Sequence, residues 1–556
     1  MAENTALSTN VLSSDVVYTR KQTLFLYVIP LSLILCISLA YLLSGHWLAG
    51  IDSVTYMEMA QSSYNGDGFC IRYSSGLQPE KIYPIGVWPP GYSLLMIPFM
   101  ALGISSYYAG LTISILSSIG FYILILHFFS RILPFRFAFA AGVGTLLWQI
   151  PTIAYVGSES PFLFFTCLSI YFFERGINKK SPVTISLSGL ICGWSVTIRY
   201  AGLALVAAQC IWLLIQKDSI KRFYAFSLWL LGIILGCGWL VYRNLLIFAT
   251  AFPHCQDESV QPFITRFLKE SLIFVLGAYP IHKNLLVLSL LATIFACFLI
   301  VLLFGFLRGS SRSEVLPLIS ELFRKHRFIL FWLLYMLGIA GITILSCSRY
   351  CFGVEPRYWI PVNWVKSFII ILGLYYTFRR FYSESVTRSL TIVFFSLGIS
   401  LLVLSLFIRI VRINAGYYGV SSTGERGYIE QKRAAELLAP LVPSDQLVAV
   451  APEYHNIYWK IWGNMNARRM ENQNIAAIQS CEQSGLLWGF VVVDPSDFIS
   501  GFDKETQNDL IIPLLANPSQ FPQYEVLHLS PVITAYHYIG KTAPLSEHLD
   551  KNNTTF

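Results

Sequence analysis

The chain has 556 residues, 55% of them apolar or aromatic and only 13% charged, with a formal charge of +8. A soluble globular protein would carry about 25% charged residues, and disorder is incompatible with 15% Phe, Tyr and Trp. Both classes are excluded, and a mean hydropathy of +0.58 points to a polytopic α-helical membrane protein.

Taken in chain order, Leu24 to Leu43 is an uncharged run of 20 residues and Phe328 to Ser348 one of 21. Each can cross a hydrocarbon core of about 30 Å as a helix. The first run is too long for a removable signal peptide and lacks the small-residue cleavage pattern. Apolar blocks predict eleven spans, roughly 24–43, 104–129, 137–156, 161–174, 183–198, 201–216, 224–242, 284–307, 328–348, 361–378 and 389–408. With the N-terminus inside, the cytoplasmic stretches hold 18 basic residues, among them Arg131, Lys179, Lys180 and Lys325, against 9 in the opposite loops. The positive-inside rule therefore gives a cytoplasmic N-terminus.

An odd number of spans places everything after about residue 410 outside. There the chain turns polar, with a helical signal near Glu430–Leu438 and strand signals at Gln446–Val450, Phe490–Val493 and Tyr524–Leu529. The expected organisation is a transmembrane domain over 1–410, with a first external loop at about 44–90, and a small external α/β domain over 411–556. Ser271 to Ile281 is apolar but too short to span, so it is expected along the outer interface. The eleven cysteines are scattered without a CxxC pair, and most sit in apolar runs as small hydrophobes.

Candidate chemistry lies in the outer loops. Asp52, soon after the first span, reads either as a helix cap or as a carboxylate that takes a proton from an incoming hydroxyl or amine. Glu159 sits in a short turn, Gly157-Ser158-Glu159-Ser160-Pro161. Arg199 breaks the apolar sequence between spans five and six, Arg243 is expected to close span seven, and Arg357 precedes span ten. Lys366 is the one charge well inside a predicted span. Each cation can snorkel to lipid headgroups. Several converging on one face would instead clamp a phosphate. No GxxxxGK[ST], HExxH or EF-hand motif is present.

In order, these residues resemble the GT-C superfamily of membrane glycosyltransferases, in particular the bacterial branch of protein mannosyltransferase-like enzymes and lipid A aminoarabinose transferases. The resemblance covers about residues 20–410. It rests on the acid after the first span (Asp52), Pro-Pro-Gly-Tyr (Pro89 to Tyr92), the turn Ser158 to Pro161, Gly193 to Arg199, Arg243-Asn244, and Arg-Tyr-x-x-Pro (Arg357 to Pro361). Two features depart from it: Ser53 follows Asp52 where many relatives have a second acid, and Trp88 stands where a histidine often precedes the prolines.

The resemblance implies an inner-membrane enzyme that transfers a sugar from a polyprenyl-phosphate donor to a lipid, glycan or protein acceptor at the outer face, with inversion. Asp52 and Glu159 would be its catalytic acids. Arg357, Arg243, Lys366, Arg199, Tyr358 and Lys81 would hold the donor phosphate. Should a divalent metal bind, Glu80 and His254 are the ligands on offer, fewer than the three protein ligands of a catalytic zinc site. The competing class is a membrane transporter or lipid flippase. The absence of visible paired halves, the long first loop and the outer soluble domain weigh against it.

Overall fold

The computed structural model describes residues 18–43, 51–73, 81–149, 152–153, 155–215, 222–253, 327–349, 360–381, 433–450, 466–469, 475–492, 503–530 and 533–539, besides isolated positions in 385–396. Two compact units divide the chain. One comprises Met1–Ser44 with Ile85–Val411, the other Gly45–Pro84 with Arg412–Phe556. The division expected from sequence kept about 44–90 with the helices, whereas here Gly45–Pro84 groups with the C-terminal residues.

The first unit is helical. Its described helices are α1 (Arg20–Leu43), α3 (Gly91–Ala101), α4 (Ser106–Ile132), α5 (Phe135–Gln149), α6 (Glu159–Lys179), α7 (Pro182–Ile198), α8 (Leu203–Ile215), α9 (Arg222–Phe248), α10 (Arg327–Arg349) and α11 (Ile360–Phe381). Among the described residues, three stretches, Arg20–Ala40, Ser106–Ile132 and Phe223–Phe248, are long and apolar enough to cross a membrane. The spans expected at 284–307 and 389–408, and the interfacial stretch 271–281, fall outside the described residues apart from isolated positions. Helix α3 was not expected as an element of its own. It is only 11 residues long and contains Pro98.

Close backbone packing holds the bundle together. In α7 and α9, which run parallel, the pairs Gly189/Gly193 and Gly232/Gly236 face each other. A Cβ on Gly189 would lie 2.2 Å from the Trp229 carbonyl oxygen, and one on Gly236 2.4 Å from that of Leu190. This is the small-xxx-small approach that lets helices associate where lipid supplies no hydrophobic drive. Beside it, the buried Gln209 of α8 donates to Ser169 Oγ of α6 (2.9 Å) and Ser188 Oγ of α7 (3.2 Å). Its Oε1 accepts from Trp229 Nε1 of α9 (2.7 Å). One amide thus ties four helices together. Aromatic stacking joins α4 to α11, through Phe129 on Phe368 and Phe128 on Trp364.

The second unit contains α2 (Ile51–Tyr64) and an antiparallel hairpin, β1 (Cys70–Tyr73) with β2 (Lys81–Pro84). It also holds a five-stranded mixed sheet in the order β4 (Asn466–Arg469), β3 (Leu447–Val450), β5 (Leu487–Val492), β7 (Ile533–Tyr538), β6 (Tyr524–Ser530). Strands β4, β3 and β5 run parallel, while β7 is antiparallel to both β5 and β6. Central β5 is buried at all six positions, as a strand covered on both faces requires. Helix α12 (Ile475–Gln483) packs Ile478 and Cys481 on one face, and the helical stretch 433–438 packs Ala434, Ala435 and Leu438 on the other.

Candidate functional site

At one end of the helical unit the N-termini of α3 and α6 meet the C-terminal ends of α7 and α9. Glu159 is the first residue of α6 and is 4% exposed. A carboxylate suits the positive end of the helix dipole, but at this depth it also needs a counter-charge. Arg199 supplies it: Nη1 lies 2.6 Å from Glu159 Oε1 and donates to Ser158 Oγ at 3.1 Å. Ser158 occupies the N-cap position without capping the helix, and its hydroxyl serves the guanidinium instead. Arg199 reaches this position because the backbone turns extended at the end of α7 (φ −149°, ψ 133°) before a 3-10 turn, Tyr200–Gly202.

A seam of hydroxyls fixes the turn that carries Glu159. Ser118 of α4 donates to Ser160 Oγ (3.1 Å), and Ser160 donates to the Thr152 carbonyl (3.0 Å). The hydroxyl of buried Tyr92, in the first turn of α3, donates to the Gly110 carbonyl at 2.9 Å. The start of α3 lies against the end of α7, since a Cβ on Gly91 would sit 2.4 Å from Thr197 Oγ1.

Arg243 was expected to close its helix, but α9 continues through apolar Leu245, Leu246 and Ile247 to Phe248, which places Arg243 inside the last turns. Its Nη2 donates to the Ile85 carbonyl (2.9 Å) and its Nη1 to Asn244 Oδ1 (3.0 Å). Lys366 is half-buried in the second turn of α11, a turn after buried Asn363.

Asp52 lies in the second unit. It falls inside the first turn of α2, where an acid favours the helix dipole, and not before the helix as a cap would. Lys81 opens β2 opposite Tyr73. Arg357, Tyr358, Glu80 and His254 fall outside the described residues. Among the described residues no group of three or more His, Cys, Asp or Glu side chains is placed to hold a metal ion. The sequence reading missed Tyr200, which bonds to the Gly86 carbonyl at 2.6 Å. Its only sequence signal is its position directly after Arg199.

No protein-family model and no curated protein matches this chain. Solved structures do. ArnT from Cupriavidus metallidurans bound to undecaprenyl phosphate is 12% identical, covers 95% of this chain and 100% of its own, and gives a TM-score of 0.54. The same protein in its apo state is 13% identical over 92% and 98%, with a TM-score of 0.53. The oligosaccharyltransferase AglB from Archaeoglobus fulgidus, in complex with an inhibitory peptide and a dolichol-phosphate, is 11% identical over 93% and 75%, at 0.44. The chain shares the fold of the ArnT structures along most of its length.

Proposed function

We propose that this protein is a glycosyltransferase that moves a sugar from a polyprenyl-phosphate donor to a lipid, glycan or protein acceptor at the outer face of the inner membrane. The observation that carries the reading is the polar end of an otherwise apolar bundle. There Glu159, Arg199 and Arg243 gather from three helices on a fold shared along nearly its whole length with ArnT. A passive bundle end gains nothing from burying an ion pair.

In the reaction, the acceptor hydroxyl or amine loses its proton to Asp52 and attacks the anomeric carbon. The bond from that carbon to the phosphate oxygen breaks, polyprenyl phosphate leaves as an anion, and the configuration inverts. Arg357 and Lys366 stabilise the leaving phosphate, with Tyr358, Lys81 and Arg199 as further candidate phosphate ligands. Glu159 is the second acid. Should a divalent cation assist, Glu80 and His254 are its ligands. Eleven spans, a cytoplasmic N-terminus and an external sheet domain complete the arrangement. The test feeds labelled polyprenyl-phosphate sugar to membranes with and without the chain. Chain-dependent label in lipid, glycan or protein supports transfer, and label that only crosses the bilayer on its original lipid supports the flippase class.

A further inference from the structure

Two side chains hold neighbouring backbone carbonyls, and a third links them. Tyr200 donates its hydroxyl to the Gly86 carbonyl (2.6 Å), and Arg243 Nη2 donates to that of Ile85 (2.9 Å). Asn244, fully buried, joins them. Its Nδ2 donates to Tyr200 Oη and to the Ala251 carbonyl, both at 3.0 Å, and its Oδ1 accepts from Arg243 Nη1. Gly86 also has no room above it, because a Cβ there would lie 2.6 Å from Pro253 Cγ and 2.7 Å from the Phe248 ring. Ile85–Gly91 is therefore a strap across the ends of α7 and α9. It is gripped at Ile85 and Gly86, and seated on Thr197 at Gly91.

Two residues of this arrangement are neighbours in sequence with opposite duties. Tyr200 holds the strap, and Arg199 holds Glu159. The two residues are adjacent in the chain, so fixing the Tyr200 hydroxyl at two points also restrains the backbone from which the Arg199 guanidinium emerges. We infer that Tyr200, Asn244 and Arg243 form a latch on the Ile85–Gly86 backbone that holds the strap in place and sets Arg199 against Glu159, as positioning residues for transfer. The inference deepens the proposed function and rests on it for its catalytic consequence. It gives Arg243 a different duty from phosphate binding: both of its described guanidinium bonds go to protein acceptors.

The test uses the full-length chain in nanodiscs and three variants. Tyr200→Phe removes one hydroxyl and two hydrogen bonds. Gly86→Ala displaces the strap sterically and leaves all three latch side chains intact. Arg243→Lys removes the forked grip. Amide hydrogen exchange over 85–92 should quicken at least about tenfold in each, while exchange in α4 stays as in the wild type. Turnover should fall about 10- to 100-fold, as misplacement of a catalytic group by about an ångström does, with unchanged affinity for polyprenyl phosphate lacking a sugar. Unchanged exchange in Tyr200→Phe and Gly86→Ala would overturn the latch. Faster exchange with normal turnover would make it a purely structural brace. Weaker polyprenyl-phosphate binding in Arg243→Lys with normal exchange would return Arg243 to the phosphate. A wild-type chain without transfer overturns the proposed function alone, since the exchange comparison still decides the latch.

Discussion

Asp52 and Glu159 are both acids in the first turn of a helix, yet their settings separate their roles. Glu159 is buried and paired with Arg199 at 2.6 Å. Asp52 is only half-buried. Asp52→Asn should therefore reduce turnover by about 10²- to 10⁴-fold, the range a general base supplies, while expression and polyprenyl-phosphate binding hold. Near-normal turnover would leave Asp52 only its favourable interaction with the helix dipole. Arg199→Gln acts differently. It strands a buried carboxylate, so thermal unfolding in detergent should show a loss of about 3–5 kcal/mol. Adding Glu159→Gln should restore part of it, and additive losses in that cycle would mean the pair is not coupled. None of this pairing could be read from sequence. The partners lie 40 residues apart, and only the packing of α6 beside α7 brings them together.

Among the elements, the α7–α9 contact is close and easily disturbed. Gly189→Leu or Gly236→Leu must drive the helices apart, because each new Cβ would meet backbone oxygen within 2.4 Å. A fall in melting temperature corresponding to at least about 1–3 kcal/mol is expected, and a variant of wild-type stability would show that the crossing is looser. Gln209→Leu should cost about 1–3 kcal/mol by leaving Trp229 Nε1 buried without an acceptor. The long apolar runs made most helices legible, since a 20-residue span leaves little choice of structure. The sequence reading passed over the GxxxG patterns at Gly189/Gly193 and Gly232/Gly236, which by themselves say nothing about which helix they face. Strand β4, Asn-Ala-Arg-Arg, carries no apolar alternation and forms only because β3 offers a parallel edge. Strand β7, Ile-Thr-Ala-Tyr-His-Tyr, also escaped the reading, although its β-branched and aromatic residues favour a strand.

For the molecule as a whole, the two ends of the helical unit hold different polar groups. Arg131 pairs with Glu174 at 2.8 Å, and Tyr18 donates to the Leu133 carbonyl at the same end, opposite Arg199 and Glu159. A reporter fused after residue 415 should be external and one at Lys179-Lys180 cytoplasmic, and finding both on one side would sink the outer-face assignment. The sheet of the second unit should respond to pH on its own. Burial pushes the His537 imidazole below its usual range, with Glu525 opposing at 3.5 Å. The folded sheet thus binds this proton less readily than the unfolded chain. Its stability is fully present above the ordinary histidine value of 6.5 and is lost as pH falls toward the depressed folded value. Amide protection in β5 and β7, corrected for intrinsic rates, should drop on acidification, less so in His537→Phe.

The most direct measurement follows the anomeric carbon. Purified chain in liposomes, given polyprenyl-phosphate sugar labelled at that carbon together with cell-envelope acceptors, should form product of inverted configuration. It should release one polyprenyl phosphate for each sugar transferred, and Asp52→Asn should do neither. Label that remains on its lipid phosphate, or a product that retains configuration, would contradict a single-displacement transferase.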